Sequence, residues 1–289
     1  MKLKIAVPSG SLQEKTLELL KKAGFKISNG SRSYSPVIDD NEIELLIIKP
    51  QEIPVFVQKG VFDLGITGKD WVAETNSKVK IISEMDYGRQ RNGKVKWVLA
   101  VPNNSKIKEV KDLEGKTIAT ELVKTTKKYF KKRGVNAKIE FSWGSTEAKC
   151  PLLVDAIVDL TETGTTLKKN NLRILAVVLE SNTVMIANNK TLEDNLKEKK
   201  VKELKYLIEA ALMGMNKAML EMNVSNEKLD GLVKVLPCMK APTISMLYNK
   251  KGFVVKVAID KNKVREVISL AKNNGATDIL EYKLEKVVP

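Results

Sequence analysis

Short apolar, β-branched runs alternate with stretches of helical period almost from the first residue, and this alternation restricts the fold more than any other feature. Residues 3–7 read as a strand, Pro8-Ser9-Gly10-Ser11 breaks it, and residues 12–23 repeat apolar side chains at helical spacing behind a Ser11/Glu14 capping box. The unit repeats with strands at 44–48 and 62–66 and helices at 50–59 and 69–74. Such alternation predicts a mostly parallel sheet with helices on both faces. A second set follows, with strands at 95–101, 117–119, 137–141 and 154–160 and a helix at 123–133, which makes two α/β lobes. Two apolar runs, 172–179 and 183–187, are long enough to carry the chain back into the first lobe. After a lysine-laced amphipathic helix at 192–212 the order changes to strand 218–224, helix 227–236, strands 243–248 and 253–259, helix 263–273 and strand 277–284. That is βαββαβ, the split arrangement of ferredoxin-like domains.

Composition narrows the chemistry. The chain has 289 residues and no histidine. Ser-His-Asp triads, HExxH zinc helices, Cys/His fingers and histidine general bases are all excluded. Catalysis must draw on carboxylates, lysines, hydroxyls, backbone amides or an ion from outside. Cys150 and Cys238 stand 88 positions apart, which suits small buried thiols better than a metal site or a disulfide. No apolar run approaches the ~20 residues of a membrane span, and the apolar start is too short for a signal peptide, so a cytoplasmic protein with no membrane partner is expected. The net charge of +15 comes from lysines spread along the chain, with only six arginines and no nucleic-acid recognition motif. Solvated surface charge is the expected reading, with an anionic substrate as its rival.

Three segments can carry chemistry. In residues 154–167 a buried strand ends in Asp159-Leu160-Thr161-Glu162-Thr163-Gly164-Thr165-Thr166, where backbone N–H groups and hydroxyls can surround a phosphate. Asp159 and Glu162 add carboxylates suited to ribose hydroxyls or to a divalent cation on a pyrophosphate. The plainer alternative is a strand-to-helix connection whose Thr and Asp cap the helix. Asp63 to Asp70 (DLGITGKD) is a second such turn, offering amides and one carboxylate at the same sheet edge, unless Gly68 only permits a tight turn. Asp86-Tyr87-Gly88-Arg89-Gln90-Arg91 holds two of the arginines, a bidentate phosphate clamp or an exposed linker, and Arg32 is open to the same two readings. Gly115-Lys116-Thr117 lacks the first glycine of a P-loop, and no GxGxxG follows the first strand.

Taken in order, these segments resemble the ATP phosphoribosyltransferases in their long, self-regulated form. The resemblance covers nearly the whole chain. It is carried by Ile5-Ala6-Val7-Pro8 with Gly10-Ser11-Leu12, by DLGITGKD, by Leu99-Ala100-Val101-Pro102, by DLEGKTIAT from Asp112, by DAIVDLTETGTTL from Asp155, and by Cys238-Met239-Lys240-Ala241-Pro242-Thr243.

The resemblance implies a two-lobed, periplasmic-binding-protein-like (type II) catalytic unit, with lobe I formed by residues 1–92 and 177–214 and lobe II by 93–176. A ferredoxin-like, ACT-like regulatory domain over 215–289 follows. It implies a pentosyltransferase joining ATP to phosphoribosyl pyrophosphate with Mg²⁺, inhibited by L-histidine and assembled as a homo-oligomer, dimer or hexamer, with no nucleic acid. Asp155, Asp159, Thr161, Glu162, Thr163, Gly164, Thr165 and Thr166 fall on the phosphoribosyl loop. Gly10, Ser11, Arg32, Asp70, Arg89 and Glu121 fall on the ATP side, and Asn223, Met239, Thr243 and Ala276 on the histidine site. The chain departs from the family at Ser9 and Ser11, where many members carry Lys and Arg, and at Asn223, where an acidic partner for the ligand amine can occur. The competing expectation is a two-lobed anion-binding or ligand-sensing protein without catalysis.

Overall fold

The computed structural model describes residues 2–28, 34–85, 95–248 and 251–288. Their contacts divide the chain into two compact units, Met1–Glu18 with Phe25–Lys205, and Leu19–Gly24 with Tyr206–Pro289. The chain runs through β1 (Leu3–Pro8), α1 (Gln13–Ala23), β2 (Ile27–Ser28), β3 (Val37–Ile38), β4 (Ile43–Ile48), α2 (Ile53–Gln58), β5 (Leu64–Gly68), α3 (Lys69–Thr75) and β6 (Lys80–Met85). It continues through β7 (Val95–Pro102), β8 (Thr117–Thr120), α4 (Val123–Lys131), β9 (Lys138–Phe141), β10 (Ala156–Thr161), α5 (Thr165–Lys169), β11 (Leu172–Ser181), β12 (Thr183–Ala187), α6 (Asn189–Glu193) and α7 (Asn195–Asn216).

The first unit holds two five-stranded sheets, ordered β4-β1-β5-β12-β6 and β11-β7-β10-β8-β9. In the first sheet β1 pairs in parallel with β4 and β5, while β12 runs antiparallel to β5 and β6. The second repeats the plan: β8 pairs in parallel with β9 and β10, and β7 runs antiparallel to β10 and β11. Each sheet is thus parallel except for one strand inserted second from an edge. The inserted strands are the two that arrive from the other lobe. β7 enters the second sheet after β6 of the first, and β12 re-enters the first after β11 of the second, with Asn182 alone between them. Both are apolar because both are covered on two faces: every residue of β12 is buried, and Trp97 to Pro102 of β7 likewise.

Gly65 belongs to this packing. A Cβ there would stand 2.3 Å from Ile53 Cγ2 and 2.9 Å from Val57 Cγ2, so its absence lets α2 lie directly on β5. The apolar pattern did not reveal β6, an edge strand whose Lys80, Ile81 and Glu84 are exposed, nor the short β2–β3 hairpin. The expected helix over 192–212 is broken at Asp194. Its carboxylate accepts from Leu196 N–H and Lys197 N–H and starts α7 afresh, as an N-cap does. The Ser11/Glu14 capping box gives way to a 3-10 turn over Gly10–Leu12, which Gly10 opens at φ +77°, and α1 starts only at Gln13.

In the second unit β13 (Lys217–Val224), α8 (Leu229–Val235), β14 (Thr243–Met246), β15 (Phe253–Asp260), α9 (Val264–Asn273) and β16 (Thr277–Lys283) form the expected βαββαβ unit. Its antiparallel sheet is ordered β14-β15-β13-β16. Alternate residues of β13 and β15, among them Leu220, Met222, Val255 and Val257, pack with Leu232 of α8 and with Val267 and Ala271 of α9. The period-2 burial of β13 is the signature of a sheet covered on one face.

Candidate functional site

Strand β10 carries its chemistry at its carboxyl end. Beyond Thr161 the chain turns through Gly164 at φ +75°, the left-handed region that favours glycine, and enters α5. Thr161 Oγ1 accepts from Gly164 N–H at 2.9 Å and Thr163 Oγ1 lies 2.9 Å from Thr165 Oγ1, so the hydroxyls gather on one small loop. Thr163, Thr165 and Thr166 are exposed and Thr161 and Glu162 half-buried. Asp155, expected with them, is not there. It stands at the opposite end of β10, where its carboxylate accepts from Thr117 N–H at 2.9 Å and pairs with Lys116 at 3.2 Å. The Thr117 hydrogen bond holds its carboxyl below the usual range, with further help from Lys116. Asp155 ties β8 to β10, which corrects the expectation read from its place in the motif.

Across from the loop lies the carboxyl edge of the first sheet. A cleft of about 140 Å³ is lined by Ser9, Ser11 and Asp70 from that edge and by Leu160 and Glu162 from the end of β10. Gly10 shapes the turn between the two serines. Ser9 Oγ is buried without a hydrogen-bond partner among the described residues. The amides expected to be free at Thr67-Gly68-Lys69-Asp70 are occupied: Lys69 N–H donates to Asn182 O and Asp70 N–H to Ser181 Oγ. Asp70 is buried, and its carboxylate accepts from Trp97 Nε1 at 2.6 Å and Trp71 N–H at 2.9 Å. Burial raises its pKa against the pull of these donors. Gly68 leaves room for that carboxylate, since a Cβ would stand 2.0 Å from its Oδ1.

A group of carboxyls gathers at the same edge of the second sheet. Val158 of β10 pairs with Thr120 of β8, which sets Asp159 beside Glu121 one step further along. Asp159 is pushed up to about 7, first by burial and then by the charge of Glu147, whose side chain also hydrogen-bonds to it. Glu121 is raised by burial, against a donated hydrogen bond from the Gln51 amide, with Asp70 adding to the rise. Glu147 and Gln51 went unnoticed in the sequence. The signal for Glu147 was Ser142-Trp143-Gly144-Ser145-Thr146, a third polar, glycine-bearing loop leaving the carboxyl end of a strand. Among the described residues no three Cys, Asp or Glu are grouped to hold a metal ion. Cys150 is buried, which pushes its thiol up to about 11. A thiol held protonated is a poor nucleophile.

Of the other expected residues, Arg32 and Arg89, with Arg91, lie outside the described residues. In the second unit Asn223 pairs with Thr277, which brings it next to Ala276. Thr243 opens β14 opposite Lys256, and the half-exposed Met239 precedes it in the α8–β14 loop, so neither shares the strand pairing that joins Asn223 to Ala276.

Residues 49–210 match the family model described as ATP phosphoribosyltransferase, and residues 215–286 the model described as HisG, C-terminal domain. The chain is 48% identical over 287 residues to ATP phosphoribosyltransferase of Thermodesulfovibrio yellowstonii, covering 99% of this chain and 98% of that protein. It is 47% identical over 289 residues to the protein of the same name from Desulforudis audaxviator, covering 100% of both. Among solved structures, the ATP phosphoribosyl transferase (HisG:HisZ) complex from Thermotoga maritima matches with a TM-score of 0.61 and 31% identity, over 72% of this chain and 98% of that one.

Proposed function

The chain belongs to the ATP phosphoribosyltransferase family, and from that premise we propose that the cleft between its two five-stranded sheets is where the substrates meet. The enzyme catalyses the first step of histidine biosynthesis: adenine N1 of ATP attacks the anomeric carbon of phosphoribosyl pyrophosphate, and pyrophosphate leaves as the N–C bond forms. N1 brings its own lone pair, so no base is required. What remains is to align two polyanions and stabilise an oxocarbenium-like ribose. A chain without histidine can do both.

The observation that carries the assignment is the Thr161–Thr166 loop at the carboxyl end of β10, opening toward the cleft through Glu162. Its backbone and the hydroxyls of Thr161, Thr163, Thr165 and Thr166 hold the 5′-phosphate, and Gly164 keeps that approach open. Asp159 and Glu162 face the ribose. Mg²⁺ enters as the counter-ion of the pyrophosphate. Gly10, Ser11 and Glu121 belong to the ATP side, with Ser9 offering its unpartnered hydroxyl where many relatives place a cation. Asp70, buried under Trp97, holds the floor of this side in place. Arg32 and Arg89 complete the triphosphate contacts. The finer division into lobes 1–92 with 177–214 and 93–176 and a regulatory domain over 215–289 belongs to the same reading, as do inhibition by L-histidine through Asn223, Met239, Thr243 and Ala276 and assembly into a homo-oligomer.

The test is direct. Purified protein given ATP, phosphoribosyl pyrophosphate and Mg²⁺ releases pyrophosphate and forms a ribosylated adenine nucleotide, with neither product when one substrate is withheld. Tight binding of both substrates by folded protein without turnover would favour a ligand-sensing protein instead.

A further inference from the structure

Helix α4 follows β8 of the second sheet and starts without a cap of its own. Leu122, a buried side chain with no oxygen, stands at its N-cap, and its first turn carries no acidic residue. The amides left free there are taken by a residue of α3, the helix that follows β5 of the first sheet. Glu74, next to last in α3, accepts from Lys124 N–H through Oε1 and from Thr125 N–H through Oε2, each at 2.8 Å. A carboxylate suits this place, because the dipole of α4 adds to two charge-assisted bonds.

The contact lies at the far end of a helix that the second sheet holds along its length. At the start of α3, Lys69 N–H donates to Asn182 O and Asp70 N–H to Ser181 Oγ, at the crossover from β11 to β12. Asp70 then takes Trp97 Nε1, and Trp71 packs on the core of the second sheet with its ring 6.0 Å from that of Trp97. Glu74 follows four residues after Asp70, about 6 Å further along the helix. A rotation of the two sheets about the crossover therefore moves the Glu74 contact more than those before it. Asp70 and Trp71 also line the cleft, whose 140 Å³ falls short of the roughly 300–1,000 Å³ of a pocket for one drug-sized ligand. ATP and phosphoribosyl pyrophosphate enter it only if the sheets part.

We propose that Glu74 is an autoinhibitory latch: its hold on α4 keeps the cleft too narrow for the substrates, and each binds only after the carboxylate has let go of the two amides. The proposal rests on the reading in which the substrates meet in this cleft. It places the latch in the empty protein alone, so the latch lowers the affinity of every ligand that needs the cleft open, and by one common factor.

Calorimetry of the full-length protein with Mg²⁺ and either substrate alone gives the affinities that test it, and stopped-flow tryptophan fluorescence with phosphoribosyl pyrophosphate gives the rates. E74A binds both substrates roughly tenfold more tightly than wild type, about the worth of one charge-assisted hydrogen bond. The factor is the same for both, and the gain lies in the association rate with dissociation unchanged. E74Q moves the same way by less, and it decides the matter alone if E74A does not fold. Lost or unchanged affinity in these variants overturns the latch and leaves Glu74 as a cap that stabilises α4. A gain for one bound substrate but not the other also overturns it, since that marks a direct contact. Folded wild type, E74A and E74Q that all bind neither substrate overturn the reading of the cleft, and the latch with it.

Discussion

At Thr163 and Thr166 the loop offers hydroxyls that hold no part of the core. Thr163→Ala or Thr166→Ala is therefore expected to raise the Kd for phosphoribosyl pyrophosphate roughly tenfold, the loss of about one hydrogen bond to a charged group, and to leave ATP binding unchanged in parallel titrations. Equal losses for the two substrates would contradict the assigned roles. Asp159 behaves differently because of its crowding. Its folded pKa of about 7 lies above the ordinary carboxylate value, so its contribution to stability is fully present below about pH 4 and is lost as pH rises through 7. Thermal midpoints of the wild type should fall from pH 5 to pH 8 relative to Asp159→Asn, and parallel pH profiles would refute the crowding. The turn that gathers the hydroxyls was legible because an apolar strand running into Thr and Gly marks a strand-to-helix turn. Asp155 was misplaced because the motif was matched as one unit, although the expected strand over 154–160 already sets it at the end away from the loop. The carboxyl pair of Asp159 with Glu147 was invisible, since its members sit on separate elements that meet only in the folded sheet.

At the scale of elements the 3.6- and 2-residue periods located the long helices and buried strands, because burial of apolar faces decides those segments. They missed β6, whose exposed Lys80 and Glu84 are solvated at the sheet edge, and they ran through Asp194, where a local cap outcompetes helix continuation. Glycines in DLGITGKD divide by role. Gly65 is a packing residue, and Gly65→Ala should destabilise the protein by about 1–3 kcal/mol, the usual result of overpacking, read from chemical denaturation. A neutral outcome would show that α2 shifts away from β5 at little cost. Trp97→Phe should cost a comparable amount, about 1–3 kcal/mol, by leaving the buried Asp70 carboxylate short of a donor.

For the whole molecule, the two units have separate cores, and ligands for one should stabilise it through mass action, about 2.7 kcal/mol at a hundredfold excess over Kd. Scanning calorimetry of the full chain should show phosphoribosyl pyrophosphate and histidine raising different parts of the unfolding profile; one transition shifted alike by both would mean that the units melt together. Within the first unit no such separation is available. Strand β12 lies between β5 and β6, and among the described residues β6 has no other strand beside it. A ribosome making this chain has therefore finished β6 about a hundred residues before β12 exists. At about 5–20 residues per second the edge of β5 waits open for several seconds. An arrest or truncation anywhere from residue 95 to 182 would release a nascent chain whose β6 is unpaired and whose β5 has one open edge, a substrate for chaperones, and the first sheet could not finish before synthesis has passed residue 187.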